Sequence, residues 1–209
     1  MISAREALER LRAGNRRFVE GSANNTASSS QARRTELLKD HRPFAIILGC
    51  SDARVPAELV FDQGLGDLFV IRVAGNIVAP SQVGSVEFAA ARFGTPLVVV
   101  LGHTQCGAIL ATIEELQRPA ETQSRNLRSI VDRVRPSVED LLAGPHGEDP
   151  EALIREAVLA NVRASVQQLR HGSELVERLI DTDGLLVVGA KYSLATGVVH
   201  FFEGLPDGC

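Results

Sequence analysis

Apolar residues along this chain fall into short unbroken blocks, set between longer stretches in which they recur every three or four positions. Phe44 to Gly49 (FAIILG), Leu68 to Val73 and Leu97 to Leu101 are blocks of this kind, almost free of charge. Such blocks predict strands covered on both faces, as in a parallel sheet. The spaced stretches predict helices. They cover residues 3–20, with Leu8, Leu11, Phe18 and Val19 on or near one face, and residues 32–40, 126–142, 151–170 and 173–180. Pro56 opens the short helix PAELVFD, and Pro136 breaks or kinks the 126–142 stretch. Ser81 is placed to cap a helix that runs to Arg92 and closes at Gly94. Leu185 to Val188 is a last core strand. It is followed by a hairpin-like tail, Lys191 to Glu203, that turns at Thr196-Gly197.

Strand–helix alternation with central apolar strands gives an α/β fold around a mostly parallel sheet. The small polar run Gly21 to Gln31 reads as a loop, and His146 falls in a Gly/Pro loop between helices. With no internal repeat and no second linker, residues 1–209 form one domain, an N-terminal helical segment over 1–40 and a core over 41–209. Ligands gather at the carboxyl ends of such strands. Cys50, Asp52 and Arg54 follow the first core strand, and His103, Thr104, Gln105 and Cys106 follow the third.

Composition narrows the picture. A chain of 209 residues can bury a full core. Its 44% hydrophobic and 23% charged residues are those of a soluble globular protein. A net charge of -4 gives no reason to expect nucleic acid, so Arg16-Arg17 and Arg33-Arg34 read as solvated helix faces. No apolar stretch is long enough to span a bilayer, and the charged N-terminus has no signal-peptide core, so the expected compartment is the cytoplasm. The sequon at Asn24-Asn25-Thr26 then carries no meaning. Three cysteines make an odd set, and two of them end buried strands. That argues against a disulfide framework and for a reducing compartment or a metal. Cys209 reads as a free terminal thiol.

Zinc takes thiolate, imidazole and carboxylate ligands in tetrahedral geometry. A buried cysteine is by itself a small hydrophobe, and a lone histidine is as readily a hydrogen-bonded structural residue. Together, however, His103-x-x-Cys106 puts two ligands one turn apart at a helix start, and Cys50 ends a neighbouring strand. The set points to zinc. Asp52 is either a fourth ligand or a neighbour. Spaced two apart, Asp52 and Arg54 can form a bidentate ion pair, which either braces the loop or switches Asp52 on and off the metal. Two thiolates cancel the metal's charge. A coordinated water should therefore lose its proton above the pH of about 7 typical of an all-histidine site.

CSDARVPAE (Cys50 to Glu58), GDLFVIRVAGN (Gly66 to Asn76), SVEFAA (Ser85 to Ala90) and GHTQCGA (Gly102 to Ala108) closely resemble the β-class carbonic anhydrases. GNRRF at Gly14 to Phe18 and GAKYSLATG near the end also fit. The resemblance runs from about residue 5 to 203. It implies reversible hydration of carbon dioxide to bicarbonate and a proton by zinc-bound hydroxide. The zinc ligands would be Cys50, His103 and Cys106, and Asp52–Arg54 the catalytic dyad. It further implies an antiparallel edge strand on the sheet, an N-terminal helical arm packed on a dimer partner, and dimers or dimer-based tetramers. Gly107 would help hold the ligand loop. Plant-like members carry a pocket glutamine from the neighbouring subunit where this chain has His41. Bicarbonate-regulated members use a tryptophan, an arginine and a tyrosine; Arg72 and Tyr192 match the last two, but Ile47 stands for the tryptophan. Hydrolysis of carbon disulfide or carbonyl sulfide on the same fold, and a non-catalytic zinc protein serving assembly, are the alternatives.

Overall fold

The computed structural model describes residues 2–23, 30–118, 124–145, 149–206 and 208. The sequon at Asn24-Asn25-Thr26, His146 and Cys209 lie outside them. Helix α1 (Ala4–Val19) starts where Ser3 accepts the Glu6 N–H while the Glu6 carboxylate accepts from Ser3 N–H, a reciprocal cap that satisfies two orphan donors. Helix α2 (Gln31–Leu37), capped by Ser30, leads into strand β1 (Ala45–Gly49). Then come α3 (Ala57–Val60), β2 (Leu68–Arg72), a 3₁₀ turn at Ala74–Asn76, α4 (Pro80–Phe93) and β3 (Leu97–His103). After α5 (Gly107–Gln117) the chain forms α6 (Arg125–Val134), a 3₁₀ turn at Arg135–Ser137 and α7 (Glu139–Ala143). The break between α6 and α7 falls at Pro136, as its missing N–H requires. The last elements are α8 (Pro150–His171), α9 (Glu174–Asp183), β4 (Leu186–Tyr192) and β5 (Val199–Glu203).

Among the described residues five strands form one sheet in the order β2-β1-β3-β4-β5. The first four are parallel, and β5 pairs antiparallel with β4 at the edge. Every residue of β1 and β3 is buried, because both strands have neighbours on either side and layers above and below. Side chains alternate between those layers. Ile47, Leu97, Val99, Leu101 and Val188 meet Leu8, Leu11 and Phe61 on one face. Ile46, Leu48, Val98, Val100 and Val187 meet Val86, Val162, Val166 and Val176 on the other. Helix α8 comes unusually close to the sheet. A Cβ at Gly102 or Gly189 would press into Val162, so glycine at these two strand positions sets the spacing.

Two expectations change. Ser81 is not a cap: Ala79 holds the cap position of α4 without a side-chain bond, and Ser81 lies inside the first turn with its hydroxyl on Gln82. Pro80 at the first helical position, preset for helix, moves the start two residues earlier. Leu185 to Val188 and the start of the tail are one strand, because Gly189 and Ala190 carry β4 through to Tyr192. Helix α1 buries its apolar face on its own chain. Leu8 and Leu11 are fully buried there, each worth about 1.5–3 kcal/mol. Asn15 fixes the orientation by bonding the Val60 and Gly197 carbonyls and the Val199 N–H.

Candidate metal centre

Strands β1 and β3 pair in register from Ile46↔Val98 to Gly49↔Leu101, so both deliver their next residues to the same end of the sheet. Cys50 leaves β1 there. His103 is the last residue of β3, and Cys106 is the cap residue of α5. All three are buried, and their ligand atoms lie within 4.8 Å of one another. The two sulfurs are 4.0 Å apart. Tetrahedral zinc–thiolate geometry calls for about 3.8 Å. No disulfide joins them, and Ile77, Ile109, Val134, Leu153 and Val158 wrap the cluster in apolar surface.

The imidazole of His103 is fully buried. Its Nδ1 lies 2.9 Å from the Thr104 carbonyl, an acceptor, so Nδ1 carries the proton and Nε2 the lone pair. That Nε2 has no hydrogen-bond partner. A buried lone pair left unsatisfied is costly, and here it points at two sulfurs. The donor set and the orphaned nitrogen fit a zinc ion.

The sulfurs are polarised to match. The Cys106 thiol and the N–H groups of Gly75 and Asp52 stabilise negative charge on Cys50, holding its thiol well below the usual range against the opposing cost of burial. The Gly75 N–H donates to Cys50 Sγ over 3.4 Å. Cys106 is pushed up by keeping its proton in a hydrogen bond to the Cys50 sulfur and by burial.

Asp52 stands beside the cluster rather than in it, with Oδ2 3.9 Å from His103 Nε2. Its carboxylate is gripped by Arg54, from Nε to Oδ1 at 2.9 Å and from Nη2 to Oδ2 at 2.7 Å, while the Arg54 backbone N–H also donates to Oδ1. Those bonds hold the Asp52 carboxyl well below the usual carboxylate range. The same guanidinium reaches the Gln105 carbonyl at 3.4 Å.

Of the other residues singled out, Arg72 is near the centre in a different capacity. It donates from Nε to the Cys50 carbonyl and from Nη2 to the Asp52 carbonyl, clamping the backbone of the ligand loop. Tyr192 is buried, and its phenol is pushed up by burial. Two strands separate it from Arg72 in the sheet, roughly 14 Å at the backbone, and Ile47 is core. Gly107 opens α5, and a Cβ there would meet nothing within 4 Å, so space rather than crowding surrounds it. His41 precedes β1 and lies against Phe93 with ring centroids 4.8 Å apart. That is the far end of β1 from Cys50, so within one chain His41 does not reach the cluster.

Sequence reasoning missed the second ring of support. Asn161 Nδ2 donates to the Gly75 carbonyl and Ser165 Oγ to the Asn76 carbonyl, fixing the turn whose Gly75 N–H meets Cys50. Gly75 has φ +70°, open to glycine without strain. The available signal was a pair of polar residues four apart on the apolar face of α8. Gln105 also adopts positive φ, at 55°, which turns the chain from His103 to Cys106.

A family model described as carbonic anhydrase matches residues 45–199. Carbonic anhydrase of Mycolicibacterium smegmatis is 38% identical over 201 residues, covering 96% of this chain and 94% of that one. Carbonic anhydrase 2 of Mycobacterium tuberculosis is 37% identical over 191 residues, covering 91% and 89%. Among solved structures, the β-carbonic anhydrase CafA of Aspergillus fumigatus superposes with a TM-score of 0.72 at 25% identity, covering 83% of this chain and 81% of that one.

Proposed function

The chain belongs to the β-class carbonic anhydrases, and from that premise we propose how its own residues carry out the reversible hydration of carbon dioxide to bicarbonate and a proton. The observation that carries the reading is the unpartnered, buried Nε2 of His103 facing the sulfurs of Cys50 and Cys106. These three residues would hold zinc. When bound, zinc acts as a Lewis acid that makes a nucleophile of water near neutral pH.

The chain's part is to shape and charge the space around that ion. The Thr104 carbonyl fixes the His103 tautomer, and the Gly75 N–H steadies the Cys50 thiolate. Arg54 keeps both oxygens of Asp52 turned toward itself, which leaves a fourth position beside the three ligands for water. Asp52 remains ionised and close, able to accept a proton in a hydrogen bond and so aim a lone pair at an electrophilic carbon. A purely structural metal site would need no arginine to draw the carboxylate away, which weighs against a non-catalytic role.

Homodimers or dimer-based tetramers are part of the same proposal, as is a reducing, cytoplasmic setting that keeps the buried thiols unbridged. Among the described residues no helix is long and apolar enough to cross a membrane. The test is stopped-flow hydration of carbon dioxide from about pH 6.5 to 9 on protein with its zinc assayed. One zinc per chain, with activity rising toward alkaline pH, is the expected result. Full zinc with no hydration at any pH would overturn it.

A further inference from the structure

Beside the metal centre lies a cavity of about 430 Å³ whose lining includes none of Cys50, Asp52, Arg54, His103 or Cys106, within the size range of small-molecule sites. One wall is a single face of α8, where Glu151, Ile154, Arg155 and Val158 are spaced i, i+3, i+4 and i+7. The facing wall is Thr104, Gln105 and Lys191 of β4.

Its charges are uncommitted. Lys191 is half-buried, and among the described residues its ammonium has neither a hydrogen bond nor an ion pair. Arg155, itself exposed, has one long bond, 3.4 Å from Nε to the Glu156 carboxylate, which leaves its other N–H groups free. Two cations thus stand over an apolar floor of Ile154 and Val158, with a single carboxylate, Glu151, at the rim. A partly desolvated ammonium without an acceptor is unfavourable and marks where an anion would be welcome.

We infer that this cavity binds a small organic carboxylate with a body of several carbons, its head group on Lys191 and Arg155 and its chain on Ile154 and Val158. A compact inorganic anion would use the cations but leave the floor uncovered, and Glu151 disfavours multiple negative charge. The position gives such a ligand a purchase on the centre. Gln105, in the cavity wall, presents its carbonyl to Arg54, and Thr104 presents its own to His103. Recognition of the carboxylate does not depend on the proposed reaction, so binding is measured directly.

Hexanoate is titrated calorimetrically into zinc-loaded protein, with inorganic phosphate as a parallel arm, for wild type, Lys191→Met and Ile154→Asp. Wild type should bind hexanoate, and each variant should bind it at least about tenfold more weakly, the loss expected for a charge-assisted contact or an apolar floor. Both variants should keep one zinc per chain and hydration rates within about twofold of wild type. Absence of binding to wild type would overturn the proposal. So would equal affinity in Lys191→Met, which would put the carboxylate on the metal. Phosphate binding as tight as hexanoate would also overturn it, by showing that charge alone is recognised.

Discussion

The two ends of the sheet are built from the same strands and differ in what they do with polar groups. At the amino end the strands enter beside a cavity of about 510 Å³ lined by Ile2, Thr95, Pro96, Leu179 and Leu185. Its one buried hydroxyl, on Thr95, is already spent on the Pro43 carbonyl, and His41 lies against Phe93. At the carboxyl end there is less room, yet almost every polar atom is assigned: Arg54 to Asp52, Arg72 to two carbonyls, Thr104 and Gly75 to the ligands. Two buried atoms there stay without a partner among the described residues, the Asn76 amide nitrogen and His103 Nε2, and of these only the second is a lone pair facing the sulfurs. Space therefore does not mark the chemistry here. A buried lone pair left free by neighbours that are all committed does, and parallel strands with the helix start of α5 collect such groups at only one end.

The contrast breaks most sharply if the ligands are removed. His103→Ala or Cys106→Ser should lose zinc and drop hydration to background; one zinc per chain by elemental analysis would mean that the metal sits elsewhere. Arg54→Ala comes next. Zinc should stay, and the rate should fall about 100-fold or more, because Asp52 is no longer held off the centre. Normal hydration by this variant would refute the dyad. Arg72→Ala releases the clamped carbonyls and should weaken zinc binding about tenfold, read by chelator competition.

The pH dependence of stability sharpens the same point. The folded-state value of Asp52 is depressed below its ordinary 3.8. The ion pair therefore contributes fully above that value and loses its contribution as pH falls below it. Asp52→Asn should lower the urea midpoint at pH 7, and the gap should begin to close only below about pH 4 and narrow further as pH falls toward the depressed folded-state value. Because Arg54 is half exposed, the gap will be modest. The smallest effect belongs to the amino end: His41→Ala should change hydration by less than about twofold. A larger loss, or a new dependence on buffer, would bring the His41 of a second copy to the metal.

How much of this could be read from the chain follows from range. β1 and β3 announce themselves because burial on both faces leaves no polar residue in them, and Cys50, His103 and Cys106 stand at strand ends that the pattern locates. The Asp52–Arg54 pair is local, so spacing alone suggests it. Arg72, Gly75, Asn161 and Ser165 are different. Their bonds to the ligand loop and its supporting turn reach across 20 to 90 residues and exist only once β1, β2 and α8 are in register. Helix α1 shows the same limit. Its amphipathic stripe demands a partner surface, but only the assembled chain reveals Phe61 and the β5 tail as that surface. Nor does the sequence pattern reveal that the Lys191 ammonium goes unpaired among the described residues.

The central placement of β1 and β3 carries a kinetic consequence. Amides of strands with neighbours on both sides exchange with solvent only through the largest openings of a protein, with free energies near that of global unfolding. The residues around Cys50 and His103 hang from those two strands, so an ion held there would leave at the tempo of whole-domain unfolding rather than of loop motion. Deuterium uptake at Leu48 and Leu101 would then keep time with metal loss, and saturating zinc should slow both together.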